Sequence, residues 1–122
     1  NLYKRFYLYF TMTEIIEDKK EIDKIINEKI KGKELIFTAH YRLSAAEKGI
    51  EDKKVKEIFS QFDKVYLIEK EILKYGDVGY ELFYKLSSNT DFSIATCPQE
   101  DRLIIIHAVE YKRSLDKRFK KK

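Results

Sequence analysis

One cysteine, Cys97, stands in the 122-residue chain, so neither an intrachain disulfide nor a cysteine-rich zinc site can form. That scarcity suits a reducing compartment, and a cytoplasmic location is expected. One proline and four glycines are too few for a linker-rich or disordered chain. Tryptophan is missing, but nine tyrosines and eight phenylalanines supply large side chains for a core. The longest wholly apolar run, residues 103–106, is far short of the ~20 residues that cross a bilayer. Residues 1–12 carry Lys4 and Arg5 among their aromatics, which breaks any signal-peptide core. No membrane partner is expected.

Several chemistries are missing as well. There is no GxGxxG, GxxxxGK[ST] or GxSxG pattern, which removes nucleotide-loop and serine-hydrolase readings. The two histidines, His40 and His107, are far apart with no aspartate beside either. No metal and no cofactor are therefore expected.

Charge is plentiful and unevenly placed. The chain carries +4 in all, yet residues 112–122 hold seven basic side chains against Asp116 alone, a net +6 that leaves −2 for the remainder. Such a basic tail suits nucleic acid or an acidic protein. It equally suits a solvated terminus.

A single domain is expected over residues 1–122. Residues 1–10 read as a strand or an apolar arm, dense in β-formers. The pattern Thr11-x-x-Glu14 then predicts a capping box opening a long amphipathic helix over 11–31, with Ile15, Ile16, Ile22, Ile25, Ile26 and Ile30 near helical spacing and Gly32 as the stop. Residues 33–37 form a short extended link. Thr38 and Gly49 bracket a second helix, on which His40, Ser44 and Lys48 fall at i, i+4 and i+8 and share one stripe. An imidazole, a hydroxyl and an amine on one stripe suit proton transfer or phosphate handling. They also suit an ordinary solvated face.

Val55, Ile58, Phe59 and Phe62 predict a third helix. From Val65 onward the period falls to two, with strands over 65–72, 80–86, 92–97 and 102–111 separated by turn residues. The fold class expected is therefore α+β, with N-terminal helices on an antiparallel meander sheet of four to five strands. Strict alternation in the last strand places Leu103, Ile105, His107, Val109 and Tyr111 on one face and Ile104, Ile106 and Ala108 on the other. His107 then reads as a hydrogen-bonded core residue more readily than as a catalyst.

Metal-free RNA cleavage is chemically within reach. It needs a base for a 2′-hydroxyl, an acid for the leaving oxygen, and cations for the phosphorane. The imidazole of His40 suits either the base or the acid role. Arg42, Lys48, Lys112 and Arg113 can bring positive charge to phosphate, and Tyr84 or Tyr111 can stack a base or donate a proton.

Residues 38–50, TAHYRLSAAEKGI, resemble a family signature of the form T-x-H-A-x-x-R-x-x-x-R-G-I. The family consists of small prokaryotic domains grouped with RelE-like toxins in the wider barnase–EndoU–colicin–RelE nuclease fold. Thr38, His40, Gly49 and Ile50 match, and Lys48 replaces the second arginine. Ser44 stands at the first arginine and Tyr41 at the alanine. The run LIIIHAVEYKRS over 103–114 is similar to the final strand and basic end of RelE- and HigB-type toxins.

The resemblance spans roughly residues 34–114 and implies a RelE-like core over 34–111 with a basic tail over 112–122. It implies a small metal-independent ribonuclease, such as the toxin of a type II toxin–antitoxin pair, acting on RNA, with ribosome-associated mRNA as one candidate. An antitoxin protein is the implied partner, and a homodimer is left open. In that reading His40 is the general acid or base, His107 or Tyr111 a second proton-transfer group, and Lys48 and Arg113 phosphate ligands. The alternative is a non-catalytic nucleic-acid-binding or protein-interaction domain of the same fold, which the serine at position 44 favours.

Overall fold

The computed structural model of the chain describes residues 12–72 and 76–119. The strand or arm expected over residues 1–10 lies outside the described residues.

The first described element is a strand, β1 (Met12–Ile16), not the start of a helix. Adjacent Ile15 and Ile16 explain why. Ile16 points into the main core and Ile15 packs with Leu67 and Phe83 on the opposite face, an alternation that only a strand provides. Of the expected capping pattern, Thr11 lies outside the described residues and Glu14 pairs with Lys70 of a later strand. The helix begins lower down, as α1 (Lys19–Ile25), where Asp18 Oδ2 accepts from the Glu21 amide at 3.0 Å. It continues through a π-helical turn, Ile26–Ile30, marked by Lys31 N–H to Ile26 O at 2.7 Å. Ile22, Ile26 and Ile30 are all buried. A stripe spaced by four drifts around an ideal helix, and the wider turn rotates it back toward the sheet.

The expected link at 33–37 is a further strand, β2 (Glu34–Phe37). Then come α2 (Ala39–Lys48) and α3 (Asp52–Phe59). Thr38 caps α2 by accepting from the Tyr41 amide at 3.1 Å, and Gly49 ends it at φ 72°, the left-handed conformation glycine adopts without strain. Four strands follow: β3 (Val65–Ile72), β4 (Val78–Ser87), β5 (Thr90–Pro98) and β6 (Arg102–Tyr111). A short α4 (Asp116–Phe119) completes the described fold.

The α+β class holds, but the sheet is six-stranded and mixed, in the order β1-β3-β4-β5-β6-β2. This corrects the expected RelE-like antiparallel meander of four to five strands. The meander β3–β6 is present, and β1 pairs antiparallel to β3 while β2 pairs parallel to β6. β2 covers the edge of Leu103 to Ile105, which would otherwise present a bare apolar strand.

Helices α1, α2 and α3 cover one face of the sheet. Ile22, Tyr41, Ala45, Val55, Ile58 and Phe59 from the helices meet Ile68, Leu82, Phe92, Ile94, Leu103 and Ile105 from the strands. Tyr84 is fully buried there, its hydroxyl donating to Phe59 O at 2.8 Å. Among the described residues, no helix is long and apolar enough to cross a membrane.

The alternation expected in β6 fails at one residue. Ala95 pairs with His107 but Thr96 pairs with Ile105, so Ile106 is an extra residue in the strand. A one-residue bulge moves everything beyond it to the other face. Leu103 and Ile105 therefore pack under the helices together with Ala108, while His107 turns away from them.

Leu115 is 2% exposed and packs on Leu67 and Phe83, with Phe119 beside them. The described part of the basic stretch is thus anchored through its apolar residues.

Candidate functional site

Glu69, Lys70 and Glu71 run consecutively in β3, and the two-residue period sends both carboxylates to the face away from the main helices. β4 places Glu81 directly opposite Glu69, and Gly79 opposite Glu71. With no side chain at Gly79, Glu71 can lean toward its neighbours: a Cβ there would stand 3.9 Å from Glu71 Oε1 and 3.4 Å from Thr96 O. Glu69, Glu71 and Glu81 each offer a carboxylate oxygen within 4.8 Å of the others.

Three carboxyls so close and half removed from water cannot all ionise cheaply. Burial, reinforced by the charges of Glu81 and Glu69, pushes Glu71 up to about 7. Glu69 is raised by burial and by Glu81. Glu81, the most enclosed, is raised by burial, against which the hydrogen bond from Ser93 and the charges of Arg118 and Lys48 work. Ser93 Oγ donates to Glu81 Oε2 at 2.7 Å. The protons belong to the group as a whole.

His107 stands next in the row, its Nε2 3.7 Å from Glu81 Oε2. Burial, then the nearby Lys48 ammonium, lowers it to about 4. At neutral pH the imidazole is neutral, so this is a polar contact rather than an ion pair. Lys48 reaches the group from the end of α2, donating to Ala108 O at 3.2 Å on the part of β6 that β2 leaves unpaired.

The structure thus brings Lys48 and His107 together and leaves the other expected residues apart. His40 is exposed in the first turn of α2, roughly 12 Å along the helix axis from Lys48. Arg42 is turned to Asp52, with Nε 2.9 Å from Oδ2. Tyr84 is sealed in the core with its hydroxyl engaged, so it cannot stack a base. Tyr111 lies half-buried beside the Leu67, Phe83 and Leu115 cluster, on the face of His107. Lys112 and Arg113 are exposed, and Lys112 Nζ is 3.9 Å from Glu110 Oε2.

Glu69, Glu71, Glu81 and Ser93 were not legible as a site, since charged residues are commonly solvated. The available signal was alternation: glutamates two apart in one strand, and another between Tyr80 and Leu82 in an otherwise apolar one. A charge there is pinned to a sheet face by its neighbours.

The arrangement suits proton transfer, because a carboxyl raised to about 7 sits within reach of two further carboxyls. Three carboxylate oxygens are also enough donors for a divalent cation, although acidic groups are often so placed without one. A second concavity of about 440 Å³ lies between α1 and the β1–β3–β4 edge, where Lys20, Lys24, Lys29 and Lys70 outnumber Glu21 and Glu28.

Comparison with protein-family models, curated proteins and solved structures finds no match.

Proposed function

We propose that the protein is a small metal-independent ribonuclease whose proton transfers run through the Glu69–Glu71–Glu81 face rather than through His40. The observation that carries this reading is the Glu71 carboxyl, raised to about 7 within reach of a second carboxylate oriented by Ser93. RNA as the substrate comes from the resemblance over residues 38–50.

In the reaction, Glu81 as carboxylate accepts the proton of a ribose 2′-hydroxyl. The freed oxygen bonds to the adjacent phosphorus, and the bond from phosphorus to the 5′-oxygen breaks. Protonated Glu71 gives its proton to that leaving oxygen. The products are a 2′,3′-cyclic phosphate and a 5′-hydroxyl, and one proton has crossed the carboxyl group. Lys48 supplies positive charge for the phosphorane beside Glu81. A toxin role, an antitoxin partner and a cytoplasmic location follow from the same reading, and growth arrest on expression is the corresponding phenotype.

The test uses an end-labelled oligoribonucleotide and its deoxy counterpart in EDTA. Wild type and His40→Ala cleave only the RNA, while Glu71→Gln and Glu81→Gln lose at least about a hundredfold in rate. Cleavage that survives both glutamine substitutions would remove the carboxyls from the mechanism. Loss in His40→Ala alone would return the chemistry to α2.

One observation favours the non-catalytic alternative: Ser44 replaces a signature arginine while Arg42 is committed to Asp52. Salt-dependent RNA binding without cleavage under any condition would select it.

A further inference from the structure

Asp91 is fully buried at the start of β5 and gathers partners from three directions. The Tyr66 hydroxyl donates to its Oδ2 at 2.6 Å, and the Leu115 amide donates to the same oxygen at 3.2 Å. Lys85 Nζ lies 3.0 Å from Oδ1. That oxygen lacks a well-aligned hydrogen bond, so the ammonium satisfies it by charge. Lys85 also donates to Ser114 Oγ at 3.2 Å and to Asp116 Oδ1 at 3.1 Å. One buried carboxylate and one lysine therefore fasten three consecutive residues of the C-terminal segment.

Apolar contacts complete the fastening. Leu115 fills the space over Leu67 and Phe83, and Phe119 meets the Phe83 ring edge-on at 5.0 Å. This docking sets the Arg118 guanidinium 5.8 Å from the Phe83 ring. Phe83 and Glu81 are next neighbours on the same face of β4, and their strand partners Leu67 and Glu69 are neighbours on β3. Arg118 is thereby held beside the Glu81–Glu69 pair.

We propose that the segment 114–119 is a strap, latched at Asp91 and Lys85, whose purpose is to hold Arg118 as the counter-charge of the Glu69–Glu81 pair and so divide the carboxyl group into a base side and an acid side. The inference rests on the proposed acid–base role of those carboxyls. Arg118 favours the ionised forms of Glu69 and Glu81, whereas burial and the two neighbouring glutamates govern Glu71. The other charged or titratable groups around the pair are His107 from β6 and Lys48 from α2, with Tyr66 and Asp116 at the strap itself. Arg118 is a positioning residue in this scheme, acting through the carboxyls.

The experiment is a carbon-detected NMR titration of the glutamate carboxyls in the RNA-free full chain, for wild type, Arg118→Ala, Arg118→Lys and Lys85→Met. Arg118→Ala raises the titration midpoints of Glu69 and Glu81 and moves Glu71 least, and Arg118→Lys restores them. Unmoved midpoints in Arg118→Ala overturn the proposal. Lys85→Met leaves Asp91 its two hydrogen-bond donors, so the chain folds while the latch loosens. It moves the same midpoints in the same direction and speeds tryptic cleavage after Lys117 and Arg118 by about tenfold, the effect of roughly 1.4 kcal/mol. Trypsin rates equal to wild type overturn the latch.

Cleavage assays then separate this inference from the ribonuclease reading. Midpoints that move in a protein that never cleaves RNA support the strap and defeat only the ribonuclease. In an active protein, Arg118→Ala shifts the pH–rate profile to higher pH, and a profile that falls uniformly without shifting overturns the counter-charge role.

Discussion

The two faces of the sheet obey different rules. Under the helices, Leu82, Ile94 and Ile105 are completely buried among apolar neighbours, and polar atoms such as the Tyr84 hydroxyl and Thr96 Oγ1 each have a backbone acceptor. On the other face the same strands hold Glu69, Glu71, Glu81 and His107 partly away from water. The first face contributes stability through area removed from water. The second spends some of it to hold groups in protonation states that water would not favour. Residues one position apart in β4, Glu81 and Leu82, belong to opposite regimes.

The widest contrast is therefore expected between those two neighbours. Leu82→Ala should destabilise the fold by about 2–5 kcal/mol, the range for a buried leucine that leaves a cavity. Glu81→Gln, nearly isosteric, should change stability by less than about 1 kcal/mol at pH 7, because the charge it removes was costly to bury. Urea unfolding of both variants checks this, and equal losses would erase the distinction between the faces.

The second prediction concerns pH. Glu71 has a folded value of about 7 against an ordinary 4.5, so the native state holds a proton that the unfolded chain releases. Its contribution is present below pH 4.5 and is lost as pH rises toward 7. His107 has a folded value of about 4 against 6.5, so its contribution is present above pH 6.5 and is lost as pH falls toward 4. The two windows overlap and their signs oppose. The contributions of these two groups should therefore offset each other across the overlap, and each single variant should tilt the wild-type profile toward the slope of the other group.

His107→Gln should leave a stability that falls with rising pH. Glu71→Gln should leave one that falls with acid. Each slope should amount to about 1–2 kcal/mol across its window, reduced for solvent screening at half-exposed Glu71. Denaturation midpoints measured from pH 4 to 8 decide it, and level profiles in both variants would defeat the prediction.

The smallest effect tests how fully the helix-covered face satisfies its polar atoms. Tyr84→Phe removes the donor to Phe59 O and should cost about 1–2 kcal/mol, read by thermal or urea unfolding. A neutral result would mean that the end of α3 finds water instead.

Local signals were legible in the sequence. Thr38 and Gly49 mark α2 because cap chemistry is decided within one turn, and β6 keeps its expected limits, Arg102–Tyr111. What depends on distant partners was not. β1 became a strand because β3 was there to pair with it. β2 depends on β6, and Ile106 is recognisable as a bulge only against β5. The candidate site fared worst, since register alone joins Glu81 to Glu69 and Glu71, and the expected helical stripe supplied only Lys48. His107 was identified, but alternation without the bulge assigned it to the wrong face.

The parallel pairing of β2 with β6 also orders events in time. Glu34 and Arg102 are 68 positions apart, so β2 emerges during synthesis long before the strand that will receive it. The meander β3–β6 can zip through short turns, but α2 and α3 must wait beside it until β6 exists. Contacts this distant in sequence are closed late and slowly. A nascent chain paused before β6 would therefore present the apolar underside of its helices and an unclaimed strand, which is the state a chaperone would be most needed to shield.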